Sequence, residues 1–123
     1  MKKDLLTISD ISREDIEGIF NHAKFLKEKF RAGETYHPLK GKTLGMIFKK
    51  ASTRTRISFE SGMYQLGGHA LFLGAKDLQM DRGESIADTA KIFSLYLDGI
   101  VVRTFSQDEV EELASNASIA VIN

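Results

Sequence analysis

The feature that most constrains the fold is the alternation of short apolar runs with amphipathic helical segments. Apolar runs of strand length occupy residues 43–48, 70–73, 99–103 and 119–122. Helical periodicity fills the intervals between them. Short apolar strands that alternate with helices form a parallel sheet covered on both faces, with right-handed crossovers. The sequence therefore predicts an α/β fold, a doubly wound four-stranded parallel sheet with helices on both faces.

Serine residues mark the predicted helix starts. Ser12, Ser85 and Ser106 are each followed three residues later by an acidic side chain, which is the spacing of a capping box. Ahead of the first strand, apolar residues within 16–30 fall on one helical face. We therefore expect a long amphipathic first helix that stops at Gly33.

The composition sets limits on the possible partners. The 123 residues fit one domain, and 17 basic side chains balance 17 acidic ones, so nothing indicates a surface for nucleic acid. The absence of cysteine excludes disulfides and thiolate chemistry and fits a cytoplasmic protein. No apolar stretch reaches the length that spans a bilayer. We expect a cytoplasmic protein that has neither nucleic acid nor a membrane as a partner.

The polar run that follows the first predicted strand carries the strongest functional signal. Residues 52–56 read Ser-Thr-Arg-Thr-Arg and lie between an apolar strand and a helical pattern at 57–66. Free N–H groups at a helix start carry about half a positive charge, and here hydroxyls and two guanidinium groups stand at the same place. This combination predicts a phosphate site. The alternative is a Ser/Thr N-cap with two solvated arginines.

A second arginine-bearing segment is predicted to reach the same place. Arg103 ends the otherwise apolar strand 99–103. Because the carboxyl ends of parallel strands open on one edge of the sheet, Arg103 can reach the 52–56 run. The alternative is an ordinary exposed residue at a strand end. We interpret Lys49 and Lys50, beside the run, as solvated residues rather than ligands.

Other segments offer little catalytic chemistry. The polar loop 74–84 is long enough for a mobile flap, with a plain surface loop as the alternative. The three histidines are scattered, so no metal set or proton-transfer pair is evident, and no serine has a partner base. What remains is a site that acts by electrostatics, suited to group transfer from an activated phosphate donor.

A family resemblance extends this interpretation. Residues 48–60, FKKASTRTRISFE, closely resemble the carbamoyl phosphate signature of the aspartate and ornithine carbamoyltransferases. The lysine at position 49 and the glutamine at position 79 resemble the ornithine branch more than the aspartate branch. The similarity covers nearly the whole chain and continues through 67–69, 77–79, 82–85, 88–90 and 98–103.

The resemblance implies that residues 1–123 are the amino-terminal, carbamoyl phosphate-binding domain of a two-domain enzyme. The carboxyl-terminal domain, which binds ornithine, is absent, and the abrupt end of the strand pattern at Asn123 leads to the same expectation. The resemblance further implies a homotrimer in which Gln79 reaches into a neighbouring subunit's site. It makes Arg56 a structural, ion-pairing residue. The phosphate ligands that it implies are Ser52, Thr53, Arg54 and Thr55.

The implied reaction transfers the carbamoyl group from carbamoyl phosphate to ornithine and gives citrulline and phosphate, without a cofactor or metal. Arg54 and Arg103 would stabilise the departing phosphate, while Thr55 and Arg103 would polarise the carbonyl. We expect the chain alone to be inactive because half of the active site is missing. The alternatives are another acceptor, putrescine or aspartate, or a non-catalytic module that binds phosphate and oligomerises.

Overall fold

The computed structural model describes residues 3–74, 85–103 and 105–123. Strands and helices alternate along it, as the sequence predicts. The strands are β1 (Thr43–Phe48), β2 (His69–Gly74), β3 (Gly99–Arg103) and β4 (Ala120–Ile122). The helices are α1 (Arg13–Arg31), α2 (Thr53–Gln65), α3 (Ile86–Tyr96) and α4 (Gln107–Asn116), and a 3-10 turn (Ile8–Asp10) precedes α1.

The four described strands form one parallel sheet in the order β2-β1-β3-β4. The chain runs outward from β1 to β2 and then crosses back to place β3 on the other side of β1. The direction of winding therefore reverses between β1 and β3. Open α/β sheets bind ligands at the carboxyl ends of the strands beside such a reversal. The predicted doubly wound α/β fold is confirmed.

The core is split between the two faces of the sheet. Ile47 and Ile100, both 0% exposed, pack in the cluster that faces α3 and α4. Met46 and Val101 pack in the cluster on the other face, under apolar side chains of α2. Successive side chains of a strand point to opposite faces, so neighbouring residues of β1 enter different clusters. This double burial explains why the strands are apolar without alternation.

The amino-terminal segment covers the free edge of β4. The backbone N–H of Leu5 donates to the Val121 carbonyl at 2.9 Å, and the Asn123 N–H donates to the Leu5 carbonyl at 2.9 Å. The carboxylate of Asp4 accepts a hydrogen bond from the Val121 N–H at 2.9 Å. These bonds satisfy backbone groups that an open edge strand would expose.

The predicted helix caps are present. The hydroxyls of Ser12, Ser85 and Ser106 each accept a hydrogen bond from the backbone N–H three residues later. At Ser106 the box is reciprocal, because the Glu109 carboxylate accepts the Ser106 N–H at 3.0 Å. α1 ends at Arg31, two residues before Gly33, whose φ of 75° suits a residue without a side chain.

The apolar stripe of α1 has little cover in this chain. No residue described within α1 is classed as buried. Phe20 is 68% exposed and Phe30 is 57% exposed. The helix is amphipathic as predicted, but its apolar face is not part of either core cluster.

Gly67 provides a test of the fold. Its φ is 89°, and a Cβ built there would lie 2.6 Å from the Cβ of His37. We expect Gly67→Ala to lower the free energy of unfolding by about 1–3 kcal/mol, because the substitution adds backbone strain and a steric clash. Urea unfolding of the chain measures this change.

Gly18→Ala is the matched control. Gly18 lies within α1, and a Cβ there would meet nothing within 4 Å. Alanine should stabilise this helix position by about 0.5–1 kcal/mol relative to glycine. A similar loss of stability in both variants would contradict the proposed role of Gly67.

Candidate functional site

The Ser-Thr-Arg-Thr-Arg run forms the first turn of α2. Ser52 is the N-cap, with the extended backbone typical of that position (φ −147°, ψ 101°). The Arg56 N–H donates to the Ser52 carbonyl at 3.0 Å. The amide groups of residues 53–55 precede this bond, so they have no partner inside the helix. The predicted helix start at Ile57 was therefore one turn too late, because polar residues of the first turn show no apolar periodicity.

The hydroxyl of Ser52 is not used to cap its own helix. Among the serine N-caps of the described helices, Ser12, Ser85 and Ser106 accept a hydrogen bond from their own first turn, whereas Ser52 does not. A hydroxyl that leaves the first-turn amide groups open can bind a ligand together with them. The helix start therefore offers N–H donors and a hydroxyl to an anion.

Arg103 lies beside this helix start. In the parallel register, Phe48 is the direct partner of Arg103. The Lys49 N–H extends the pairing by one step and donates to the Arg103 carbonyl at 3.2 Å. The chain then reaches Ser52 within three residues. The structure thus brings the two predicted segments, 52–56 and Arg103, to the same edge of the sheet at the reversal between β1 and β3.

Two arginines in this region are available to a ligand. Arg54 and Arg103 are both exposed. Within residues 3–74, 85–103 and 105–123, no acidic side chain forms an ion pair with either guanidinium. Two cations without an acidic partner in those ranges, beside open backbone N–H groups, favour a ligand with more than one negative charge, such as a phosphate.

Arg56 has a different environment. Its guanidinium carbon lies 3.9 Å from the centroid of the Phe72 ring, and its Nε lies 3.5 Å from a carboxylate oxygen of Glu60. The cation–π contact ties α2 to β2, so Arg56 acts as a structural residue. This arrangement agrees with the ion-pairing role that the family resemblance implies.

Lys49 is exposed, as predicted, but it also has partners that the sequence does not indicate. Its Nζ lies 3.1 and 3.3 Å from the two carboxylate oxygens of Glu109. The same Nζ lies 4.7 Å from the centroid of the Phe105 ring. Lys50 is exposed, in keeping with its interpretation as a solvated residue. The sequence does not reveal the Lys49 contact, because the two partners are 60 residues apart.

The remaining predictions concern the polar loop, metal binding and membrane spans. Gln79 and residues 75–84 of the polar loop lie outside the described residues. Within the part of the chain that the structure describes, no group of three or more His, Cys, Asp or Glu side chains could hold a metal ion. None of the described helices has the length and apolar character needed to cross a membrane.

Fold and candidate site together define a doubly wound α/β domain that presents a helix start with open N–H donors at the reversal of its sheet. The family model described as "Aspartate/ornithine carbamoyltransferase, carbamoyl-P binding domain" matches residues 3–123. The chain belongs to this family, as the sequence resemblance indicates.

Two similar proteins are both named ornithine carbamoyltransferase. The chain is 58% identical over 121 residues to an ornithine carbamoyltransferase of Oceanobacillus iheyensis, covering 98% of the chain and 38% of that protein. It is 60% identical over 123 residues to that of Syntrophotalea carbinolica, covering 100% of the chain and 41% of the relative. The chain thus spans about 40% of the length of these relatives.

Solved structures share the fold. Ornithine carbamoyltransferase from Pyrococcus furiosus superimposes with a TM-score of 0.93 at 50% identity, over 98% of this chain and 39% of that one. The catalytic subunit of M. jannaschii aspartate transcarbamoylase gives a TM-score of 0.88 at 33% identity, over 98% of this chain and 40% of that one. Both branches of the family therefore share this domain fold.

The carboxylate of Glu109 predicts a pH dependence of stability. The hydrogen bond from the Ser106 N–H lowers the pKa of Glu109 from its ordinary value of 4.5, and the Lys49 ammonium acts in the same direction, whereas burial opposes them. A lowered pKa contributes stability above the unfolded-state value that is lost as the pH falls through the folded-state value. We expect Glu109→Gln to destabilise the chain by about 0.5–1 kcal/mol at pH ~7 and by less at pH ~3.

Urea unfolding at the two pH values measures the difference. Glu111→Gln, an exposed position on the same helix, serves as the control for losing one carboxylate from α4. An effect of Glu109→Gln that is equal at both pH values would contradict the assigned ionic contribution.

Proposed function

We propose that the chain is the carbamoyl phosphate-binding domain, residues 1–123, of an ornithine carbamoyltransferase. The observation that carries this proposal is the placement of the α2 start and Arg103 on one edge of the sheet, with Phe48 and Arg103 in direct register. Family membership and relatives at 58% and 60% identity that bear this enzyme's name support it. The whole protein would convert carbamoyl phosphate and ornithine to citrulline and phosphate.

The phosphate end of the substrate would bind at the start of α2. The open amide groups of residues 53–55 point out of the helix end, where the helix dipole favours an anion. The hydroxyls of Ser52, Thr53 and Thr55 would add donors, and the Arg54 guanidinium would supply a formal charge. Charge-assisted hydrogen bonds of this kind are about twice as strong as neutral ones.

The carbamoyl end would face Arg103. Thr55 and Arg103 would donate hydrogen bonds to the carbonyl oxygen, which gains negative charge when the δ-amine of ornithine attacks the carbamoyl carbon. The new C–N bond forms, the C–O bond to phosphate breaks, and the leaving phosphate takes the electron pair. The attacking amine loses a proton, which the leaving phosphate accepts. Arg54 and Arg103 would stabilise the phosphate as its charge grows, so the residues act by positioning and electrostatics.

The remainder of the protein would complete the active site. The relatives are longer than this chain, which covers 38% and 41% of the first two. The additional domain would bind ornithine, and Gln79 of a neighbouring subunit would enter the site of a cytoplasmic homotrimer. The two relatives named ornithine carbamoyltransferase are 58% and 60% identical to this chain, whereas the M. jannaschii aspartate transcarbamoylase subunit is 33% identical. This difference favours ornithine over aspartate as the acceptor. Assays of the full-length protein with ornithine, putrescine and aspartate test the acceptor.

The isolated chain should bind without catalysing. In an NMR titration of the isotope-labelled chain with carbamoyl phosphate, we expect saturable shifts of the amide signals of residues 53–55 and Arg103. Arg54→Ala should weaken the binding, because it removes the cation at the phosphate. Inorganic phosphate is the control ligand, and it should move the α2 signals more than the Arg103 signal.

Two outcomes would change the proposal. Equal responses to both ligands would indicate a phosphate-binding module without a carbamoyl subsite. No response to either ligand, in a chain whose spectrum is that of a folded protein, would contradict an anion site formed by this chain alone.

In the full-length protein, Arg54→Ala should lower kcat by about a hundredfold or more, because a preorganised donor to the leaving phosphate is lost. Steady-state citrulline formation measures the change. Arg13→Ala is the control, since Arg13 pairs with Glu17 on the exposed surface of α1. Turnover by Arg54→Ala equal to that of the unmodified enzyme would refute the assigned role.

A further inference from the structure

The Lys49–Glu109 ion pair joins the two chain segments that carry the proposed anion site. Lys49 directly follows β1 and lies three residues before the N-cap of α2. Glu109 lies in the first turn of α4, which follows β3 and Arg103. The Lys49 ammonium is within 3.3 Å of both carboxylate oxygens, so it contacts the carboxylate as a whole.

Lys49 contacts the end of β3, the β3–α4 connection and the first turn of α4. Its backbone N–H donates to the Arg103 carbonyl at 3.2 Å, and its Nζ lies 4.7 Å from the Phe105 ring centroid. The third contact is the ion pair with Glu109. Glu109 is itself held by the Ser106 N–H at 3.0 Å. These contacts restrict the position of the β3 end, which bears Arg103, relative to the segment that leads from Lys49 to the start of α2.

The Lys49–Glu109 pair is more sheltered than the Arg13–Glu17 pair on α1. Its side chains are 36% and 30% exposed, whereas those of Arg13 and Glu17 are 87% and 58% exposed. Arg13 and Glu17 also lie one turn apart on a single helix and therefore constrain no tertiary distance. Partial shelter from solvent reduces screening, so the Lys49–Glu109 pair retains more of its attraction.

We propose that Lys49 and Glu109 are positioning residues that set the distance between the α2 start and Arg103. This inference rests on the proposed function. One ligand must contact both the first turn of α2 and Arg103, and small displacements of such groups weaken a shared interaction strongly. The ion pair fixes the relative position of the two backbones without contacting the ligand.

Lys49→Met removes the ammonium and keeps the length of the side chain. In the full-length protein we expect kcat/KM for carbamoyl phosphate to fall by about fivefold, which is the upper range for breaking a partly exposed pair. The KM for ornithine should stay unchanged. Lys49→Arg should restore most of the loss, because a guanidinium can also bind both carboxylate oxygens.

Two matched controls separate this role from simple loss of charge or stability. Lys50→Met removes the same charge one residue further on, at an exposed position. Lys42→Met breaks the Lys42–Asp98 pair, whose charged atoms lie 3.9 Å apart. These residues directly precede β1 and β3 and so lie at the other edge of the sheet from the candidate site. Both controls should keep kcat/KM for carbamoyl phosphate within about twofold of the unmodified protein.

A second route tests the pair itself. Glu109→Gln keeps an acceptor for the Ser106 N–H, since glutamine also serves at this position of a capping box, but removes the charge. The double variant Lys49→Met/Glu109→Gln should be no worse than either single variant, because both remove one interaction. Additive losses in the double variant would overturn the inference, as would unchanged kcat/KM in Lys49→Met.

Amide NMR signals of the ligand-free chain distinguish this inference from the proposed function. Lys49→Met should move the Arg103 amide signal, whereas Lys42→Met and Lys50→Met should not. An unmoved Arg103 signal would overturn the positioning role whatever the protein binds. A moved signal in a protein whose unmodified form neither binds nor turns over carbamoyl phosphate would instead contradict the proposed function.

Discussion

The parallel pairing of β1 with β3 is the contact on which the site depends. It places Phe48 beside Arg103, and the next backbone hydrogen bond joins Lys49 to the Arg103 carbonyl. Because the chain leaves β1 toward β2 and returns to β3 on the other side, the connections diverge and leave a crevice at the strand ends. The start of α2 opens into that crevice. The location of the site thus follows from strand order.

The basic side chains around this crevice differ in whether they have an acidic partner. Lys49 pairs with Glu109, whereas Arg56 pairs with Glu60 and stacks on the Phe72 ring. Within the described ranges, Arg54 and Arg103 keep their charge free of acidic partners. A phosphate would meet these two guanidinium groups together with helix N–H donors, and electrostatic stabilisation is strongest where donors are already in position.

Most of the fold could be predicted because its signals are local. Ser12, Ser85 and Ser106 cap helices through a backbone N–H three residues away, so their role is visible in a short window of sequence. The start of α2 was misplaced because its first turn is polar and lacks apolar periodicity. The role of Lys49 was missed because its partner lies 60 residues further along the chain.

The sequence by itself determined the alternation of strands and helices and supplied the candidate residues of an anion site, since periodicity, capping and residue chemistry act over a few neighbouring positions. Tertiary structure alone decided the strand order, the register of Phe48 against Arg103, and which arginines stay unpaired among the described residues. These properties depend on contacts between segments far apart in the chain, and they form only when the sheet assembles.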